Sequence, residues 1–250
     1  MSQQRQALAF SQLHRKNNPV ILYNIWDAGS ALAVEQAGAK AIATGSWSCA
    51  AAQGYQDGEA MPFARLLQTV QRIACVVSLP LTVDFETGYG ADRRDNLSAL
   101  LQAGVVGINV EDQRMGLSAL NGIREQCGML SSLHQVAETQ GIALFINART
   151  DIFLQESDQS RHPALMAEAK KRLSAYQDAG ASGFFAPGLS DLTLIAELCE
   201  VSALPVNIMT SNLTPPLADL TAAGVSRISY GPHPYIGLME NLKQQARALY

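Results

Sequence analysis

The chain contains 250 residues, of which 48% are hydrophobic and 16% are charged. This composition supports a large buried core and argues against a mainly disordered chain. Eighteen Lys and Arg against 22 Asp and Glu give a formal net charge of -4, so we expect no nucleic-acid partner.

No apolar run approaches the ~18 residues that a membrane-spanning helix requires, and residues 1–18 lack the apolar centre of a signal peptide. We therefore expect a cytoplasmic protein without a membrane partner, whose fold begins with an amphipathic segment. The four cysteines are irregularly spaced, and no two histidines stand four residues apart. These spacings argue against a disulfide framework and against a helical histidine site, so any metal would be held by oxygen ligands.

Short runs rich in β-branched residues recur along the chain, and each precedes a stretch with helical periodicity. The predicted strands are Val20–Ile25, Lys40–Thr44, Leu81–Phe85, Gly107–Glu111, Ala143–Ala148, Gly183–Ala186, Pro205–Met209 and Ser226–Tyr230. The predicted helices are Ser30–Ala39, Pro62–Val77, Asp92–Ala103, Arg124–Thr139, Pro163–Ala179, Ser190–Glu200, Pro216–Ala222 and Tyr235–Leu249. One helix therefore follows each predicted strand.

Several predicted helices end in an Ala-Gly step, at Gly38, Gly104, Gly180 and Gly224, and a glycine just past the last turn commonly ends a helix. Strict alternation of strands and helices predicts a parallel sheet. Eight units in 250 residues match an α/β fold of the (β/α)8 TIM-barrel type, with a doubly wound open sheet as the alternative. Because no Pro-, Ser- or Gly-rich linker divides the chain, we expect residues 1–250 to form a single domain.

The carboxyl ends of barrel strands form the active site in this architecture, and here they carry several acids. Asp84 and Glu86 stand two residues apart, so an extended backbone would direct both side chains to one face, with Cα atoms roughly 6.5 to 7 Å apart. Glu111, at the end of the fourth predicted strand, would add a third oxygen ligand. Such a set suits Mg²⁺ and tolerates Mn²⁺. The alternative is that these acids are solvated loop residues or helix N-caps.

Arg149 follows the fifth predicted strand and is the cation among these acids at the carboxyl ends of the strands. Its planar guanidinium matches a substrate carboxylate, which is the role we favour, although it would also serve structurally by pairing with Asp151 or Glu111. The segment Gly88-Tyr89-Gly90 lacks the third glycine of a dinucleotide fingerprint, so no nucleotide cofactor is expected.

Four segments together resemble one known family. They are Ala43–Ser48 (ATGSWS), Val83–Gly90 (VDFETGYG), Gly107–Gln113 (GINVEDQ) and Ile146–Asp151 (INARTD). Their order and spacing are similar to those of the isocitrate lyase/phosphoenolpyruvate mutase superfamily, and the resemblance extends over essentially the whole chain.

The resemblance implies a (β/α)8 barrel that binds Mg²⁺ directly through Asp84, with Glu86, Glu111 and Asp57 engaging the ion through water. It implies that the backbone amides of Ser46 and Trp47 hold the carboxylate of a small substrate and that Arg149 contacts the substrate oxygens. Arg149, Asp57 and Glu111 are then the catalytic candidates.

Family members usually form tetramers in which the last helix is exchanged between subunits, so the resemblance implies a homo-oligomer. The apolar face of the terminal segment suits such an exchange and consists of Ile236, Leu238, Met239, Leu242, Ala246 and Leu249. Packing of this helix on its own barrel would explain the same pattern.

The chain also departs from named members of the family. Isocitrate and methylisocitrate lyases carry a K-[KR]-C-G-H loop with a catalytic cysteine, whereas here Cys127 lies several residues later and no His follows. We therefore expect Cys127 to be an ordinary small residue near the start of a helix. The mutase lid sequence K-x-N-S is missing, and Pro187-Gly188 stands where the mutase has a His, as in oxaloacetate decarboxylase-like members.

The resulting functional hypothesis is a Mg²⁺-dependent lyase that cleaves a C–C bond of a small 2-oxo or 2-hydroxy carboxylate through an enolate. Phosphonomutase or phosphonopyruvate hydrolase chemistry at a P–C bond is one alternative, and a barrel that binds a carboxylate without turnover is another. Segment 112–124 is a candidate lid. Four aromatic residues are candidates for an apolar pocket wall: Trp47, Tyr89, Phe185 and Tyr230.

Overall fold

The computed structural model describes residues 2–114 and 116–250. Its strands are β1 (Val20–Leu22), β2 (Ile42–Ala43), β3 (Leu81–Asp84), β4 (Gly107–Glu111), β5 (Phe145–Arg149), β6 (Gly183–Phe185), β7 (Val206–Met209) and β8 (Arg227–Ser229). All neighbours pair in parallel in the order β1-β8-β7-β6-β5-β4-β3-β2. A parallel bridge between Ile25 and Thr44 links the two end strands. The predicted (β/α)8 barrel is therefore confirmed, and the open-sheet alternative is wrong.

Helices surround the barrel on its outer face and also close one end of it. They are α1 (Gln3–Leu13), α2 (Ala28–Gln36), α3 (Ser46–Ala52), α4 (Phe63–Ala74), α5 (Arg93–Gln102), α6 (Ile123–Thr139), α7 (His162–Asp178), α8 (Leu192–Val201), α9 (Leu217–Ala222) and α10 (His233–Arg247). Within the described residues, no helix has the length and apolar character that crossing a bilayer requires.

The eight predicted helices are present with ends shifted by a few residues, but α1 and α3 were not predicted as helices. The expectation of one helix after each strand is wrong at β2, which is followed by both α3 and α4. Helix α3 has the sequence SWSCAAA, which is too short and too uniformly small to show a helical period.

β1 and β2 are shorter than predicted, and a side-chain amide adds to the backbone hydrogen bonds where they end at the barrel mouth. Asn24 Nδ2 donates to the carbonyl of Thr44 at 2.9 Å, and Asn24 Oδ1 accepts from the amides of Tyr230 and Gly231 at 3.0 and 2.9 Å. The amide of Asn24 thus joins β1, β2 and the segment after β8 where regular pairing ends.

Helix α1 closes the floor of the barrel through Phe10. The Phe10 ring is fully buried and packs edge-on against Phe145 of β5, with ring centroids 5.5 Å apart. The floor has room for this ring because β4 begins with a glycine: a Cβ at Gly107 would lie 2.6 Å from Phe10 Cε1. His14, four residues later, stacks on Phe145 with ring centroids 3.9 Å apart and also contacts the Phe10 ring edge-on at 4.8 Å.

A polar layer crosses the barrel between this floor and the mouth. Asn147 Nδ2 donates to the side-chain oxygens of Asn109 and Asn207, both at 3.0 Å. Asn207 Nδ2 donates to Ser229 Oγ at 2.8 Å, and Arg227 Nη2 donates to Asn109 Oδ1 at 2.9 Å. All five side chains are buried, so the barrel interior is hydrogen-bonded rather than purely apolar at this level.

The last helix leaves its apolar face uncovered by the rest of the chain. Ile236, Leu238 and Leu242 of α10 are 45%, 52% and 57% exposed. The outward face of β1 is also uncovered, since Ile21 and Tyr23 are 45% and 48% exposed and line a groove of about 1010 Å³. Packing of α10 on its own barrel therefore does not account for its apolar pattern.

The floor contact predicts a large loss of stability when Phe10 is truncated. Phe10→Ala leaves a cavity beneath Phe145, and we expect the free energy of unfolding to fall by about 3–5 kcal/mol, measured by urea unfolding. Leu8→Ala is the matched control, because Leu8 lies on the same helix and is 58% exposed. Equal effects of the two substitutions would contradict the floor role of Phe10.

Candidate active site

A cavity of about 240 Å³ opens at the carboxyl ends of the strands. Its walls contain five of the predicted site residues: Ser46, Trp47, Asp57, Asp84 and Arg149. The other lining residues are Asn24, Gly45, Asn109, Leu154, Phe185, Met209, Ser229, Gly231 and Pro232. Of the four predicted aromatic wall residues, Trp47 and Phe185 line the cavity, whereas Tyr89 and Tyr230 are not part of its lining.

Asp84 is the last residue of β3 and presents one carboxylate oxygen without a hydrogen-bond partner. Its Oδ2 accepts from the amide of Ser46 at 3.1 Å and from Ser46 Oγ at 2.9 Å. Its Oδ1 is buried and has no hydrogen-bond partner among residues 2–114 and 116–250. Ser46 thus fixes the orientation of Asp84, and the Ser46 amide, expected to hold substrate, donates to this carboxylate.

Glu86 lies two residues beyond the end of β3, where the backbone is no longer extended. Its φ is +50°, so the argument from strand alternation, which placed Glu86 on the same face as Asp84, is wrong at this residue. Its carboxylate is nevertheless buried and accepts from the amide of Glu59 at 2.7 Å and from the hydroxyl of Tyr89 at 2.6 Å.

Glu59 organises this strained segment, and no sequence pattern singled it out. Its Oε1 accepts from the amide of Thr87 at 3.0 Å, from Thr87 Oγ1 at 2.6 Å and from the amide of Tyr89 at 2.8 Å. Glu59, Glu86 and Tyr89 all have positive φ, at 58°, 50° and 61°. Such backbone conformations are costly for non-glycine residues and persist where surrounding bonds enforce them, often at functional sites.

Arg149 is held on two sides by carboxylates. Its Nη2 lies 2.9 Å from Glu111 Oε2, and its Nε and Nη2 contact the two oxygens of Asp151 at 2.6 and 3.0 Å. The structural pairing that we considered as an alternative is thus present with both partners. The guanidinium nonetheless lines the cavity, 6.0 Å from the ring centre of Phe185. Charge-assisted bonds of this kind fix its plane.

Behind this ion pair, Asp112 anchors the segment that carries Asp151. Asp112 Oδ1 accepts from the amide of Asp151 at 3.0 Å. Asp112 Oδ2 accepts from Tyr176 at 2.7 Å and from Arg172 at 3.0 Å. Arg149 is therefore positioned through a chain of buried contacts that reaches helix α7.

The predicted lid, segment 112–124, forms a short hairpin in its described part, and Met115 lies outside the described residues. Gln113 and Leu120 form an antiparallel bridge, and the amide of Asn121 donates to the carbonyl of Asp112 at 2.6 Å. Arg172 also donates to the carbonyl of Asn121 at 3.0 Å. The base of the candidate lid is thus fixed to the barrel.

Burial raises the pKa of three acids at the site. For Glu86, burial raises the pKa to about 7, with Asp84 and Asp57 adding to the effect and the Tyr89 hydrogen bond opposing it. The pKa of Glu111 is also well above its usual value because of burial, against the opposing influence of Arg149. Burial and the Asp84 charge raise the pKa of Asp57. The site therefore concentrates more negative charge than its protein partners neutralise.

Cys127 lies on helix α6, away from the cavity lining. Its Sγ donates to the carbonyl of Ala175 at 3.3 Å, and burial raises the pKa of the thiol. A raised pKa disfavours the reactive thiolate form. This environment agrees with the structural role that we expected for this cysteine.

Comparison with known proteins gives consistent matches over the chain. A family model described as phosphoenolpyruvate phosphomutase matches residues 10–250. The crystal structure of a Burkholderia cenocepacia protein described as a candidate phosphonomutase is 40% identical, with a TM-score of 0.96 and 100% of both chains covered. An uncharacterised protein of Mycobacterium tuberculosis is 30% identical over 250 residues, covering 97% of this chain and 89% of the relative. The 2-methylisocitrate lyase of Escherichia coli is 27% identical over 218 residues, covering 83% of this chain and 71% of that enzyme.

The raised pKa of Glu86 predicts that the metal-free protein loses stability as the pH rises. With a pKa of about 7 when folded and 4.5 as the ordinary value, Glu86 binds more protons in the folded state between these pH values. The free energy of unfolding therefore falls from pH 4.5 to 7 and levels off above 7. We expect Glu86→Gln to remove about 2–4 kcal/mol of this pH dependence, measured by urea unfolding of metal-free protein between pH 5 and 8.

The control is Glu200→Gln, since Glu200 is an exposed acid on helix α8. Because substitution of Glu86 also disturbs two hydrogen bonds, the informative quantity is the slope of stability against pH and not the absolute stability. A slope in Glu86→Gln equal to that of the unmodified protein would contradict the assigned burial effect.

Proposed function

Because the chain belongs to the phosphoenolpyruvate phosphomutase family, whose relatives include lyases and mutases, we propose that it is a Mg²⁺-dependent lyase. It cleaves a C–C bond of a small 2-oxo or 2-hydroxy carboxylate and passes through an enolate. The observation that carries this proposal is the unpartnered Asp84 Oδ1 at the base of the cavity.

The donor set fits Mg²⁺ held by few direct protein ligands. A buried carboxylate oxygen without a donor is costly unless a cation or water satisfies it, and Asp84 Oδ1 is such an atom. Within residues 2–114 and 116–250, no three His, Cys, Asp or Glu side chains come close enough to form a metal cage. Mg²⁺ characteristically uses one or two carboxylates and retains water, so Asp84 would bind directly while Glu86, Glu111 and Asp57 act through water.

When bound, Mg²⁺ supplies Lewis acidity for the negative charge that develops on the enolate oxygen. Ser46 holds Asp84 in place, and Arg149, fixed by Glu111 and Asp151, presents a pre-oriented positive charge to the substrate oxygens. Asp57 is the second acid of the cavity lining in the described chain. We assign it proton transfer at the enolate carbon.

The composition of the cavity lining favours cleavage of a C–C bond over chemistry at a P–C bond. Four apolar residues line this cavity: Leu154, Phe185, Met209 and Pro232. Among the described residues, Arg149 is the cation of the cavity lining, and two carboxylates already contact it. A transferring phosphoryl group calls for several cationic contacts, whereas the apolar residues exclude water from a carbon-centred reaction.

P–C chemistry remains the second candidate because the 40% identical Burkholderia protein is described as a candidate phosphonomutase. The two reactions differ in their products and therefore separate in one assay. Hydrolysis of phosphonopyruvate releases inorganic phosphate with pyruvate, and the mutase reaction rearranges phosphonopyruvate to phosphoenolpyruvate. C–C cleavage of a carboxylate substrate yields neither phosphate nor phosphoenolpyruvate.

We expect Asp84→Asn to lower metal-dependent turnover by about 100-fold or more, because one pre-oriented electrostatic contact at a reacting group contributes that much. Release of pyruvate, glyoxylate and phosphate and formation of phosphoenolpyruvate would be measured over a panel of oxaloacetate, 2-methylmalate, methylisocitrate, isocitrate and phosphonopyruvate, with Mg²⁺ or with a chelator. Asp92→Asn is the control, since Asp92 is an exposed acid. Chelator-insensitive turnover would contradict the proposal.

The panel also tests the binding-only alternative. If no compound is consumed while oxalate with Mg²⁺ still raises the melting temperature, the barrel binds carboxylates without turning them over. Turnover of phosphonopyruvate at its P–C bond, with no other compound of the panel consumed, would favour the second candidate.

We also propose that the protein is a homo-oligomer in which α10 of one subunit packs on another. The exposed face of α10 and the exposed outer side of β1 are both apolar, and each lacks a partner from the described part of its own chain. Exposed apolar surfaces of this extent commonly mark protein interfaces.

Leu238→Lys combined with Leu242→Lys is expected to shift the protein toward smaller species, because charged side chains would then face an apolar groove. Size-exclusion chromatography with light scattering measures the mass. Gln245→Lys on the exposed part of the same helix is the control. A monomeric unmodified protein, or an unchanged mass in the double variant, would contradict the exchange of α10.

A further inference from the structure

Arg227 is a buried arginine beneath the active-site cavity. It belongs to β8, is 1% exposed and points into the barrel. Its Nη2 reaches Asn109 of β4, the strand opposite β8 in the barrel order, so the side chain crosses the barrel. Asn109 in turn is paired in register with Asp84 and lines the cavity. The guanidinium thus contacts a cavity-lining side chain in register with the carboxylate that we assign to Mg²⁺.

No carboxylate within the described residues forms an ion pair with Arg227. Its Nε and Nη1 are buried without a hydrogen-bond partner. Burying an unpaired charge is expensive. The neighbouring His14 is uncharged and adds no second positive charge, because burial followed by the charge of Arg227 lowers its pKa to about 3. Structural packing alone therefore gives no reason for an arginine here.

Asp84 at the mouth supplies part of the missing compensation. Burial lowers the pKa of Arg227 only to about 9, with the charge of Asp84 opposing the change, so the side chain stays charged at neutral pH. Arg149, the cation of the cavity lining in the described chain, is already engaged by two carboxylates.

We propose that Arg227 is a positioning residue of the active site, which places a fixed positive charge beneath Asp84 where substrate does not touch it. This inference rests on the proposed metal-dependent function. The charge opposes binding of a bare divalent cation at Asp84 and favours binding of an anionic substrate. Removing the Arg227 charge should therefore strengthen the binding of the divalent cation and weaken the binding of the anionic substrate.

Replacing Arg227 by Met tests both expectations, because Met retains much of the apolar volume and removes the charge. We expect Mg²⁺ alone to bind about tenfold more tightly and oxalate in saturating Mg²⁺ to bind about tenfold more weakly, as one unit charge at short range in a protein interior predicts. Both dissociation constants would be measured by titration calorimetry. Arg227→Lys should retain both affinities near those of the unmodified protein.

Thr82→Val is the matched control, since Thr82 is a buried, uncharged residue of the same barrel interior. Structural damage would weaken both Mg²⁺ and oxalate, and such a result in Arg227→Met would overturn the proposal. Unchanged affinities in Arg227→Met would overturn it as well.

A double-mutant cycle in metal-free protein separates this inference from the proposed function. Urea midpoints of Arg227→Met, Asp84→Asn and the double variant give the coupling between the two charges. We expect Asp84→Asn to lower the midpoint less when Arg227 is already Met. If the protein binds no Mg²⁺ but the coupling is present, the proposed function fails while the placement of Arg227 holds; no coupling overturns the placement itself.

Discussion

The structure depends on burying several carboxylates together at one end of a closed barrel. Asp84, Glu86, Glu111 and Asp151 are each less than 10% exposed, and like charges in a poorly solvated interior raise one another's energy. In a closed barrel of parallel strands, all the carboxyl ends lie in the same ring. Acids at these ends are therefore close to one another. Each acid is therefore matched by a specific donor or cation from another part of the chain.

The partners of these acids explain local features that would otherwise look arbitrary. Glu59, Glu86 and Tyr89 adopt left-handed backbone conformations. These conformations allow Glu59 to hydrogen-bond both to Glu86 and to the loop that follows β3. Asp112 is fully buried so that Asp151 can orient Arg149. Even with these contacts the site carries excess negative charge, which is a common compromise between stability and function.

The fold followed from local patterns, because apolar strand runs and Ala-Gly helix stops recur at regular spacing and parallel strands must share one active end. Helix α1 was expected only as an amphipathic segment and not as a helix. Only Ala7 and Phe10 of its eleven residues are buried, so the sequence shows little helical periodicity. Asp84 and Arg149 were found from their positions at strand ends, and Ser46 was found from the family resemblance. Glu59 and Arg227 were not, because their roles arise from contacts across the closed barrel that no local spacing encodes.

The floor contact of α1 has a consequence for the order of assembly. The side chains of Gln3, Gln4 and Gln6 donate to carbonyls that lie 72 to 137 residues further along the chain. Phe10 needs both Gly107 and Phe145 before it has a place to pack. During synthesis, α1 emerges well before the strands it seals, so it must remain undocked until half the barrel exists. High sequence separation of this kind slows folding, and the barrel floor is completed late by one of its earliest segments.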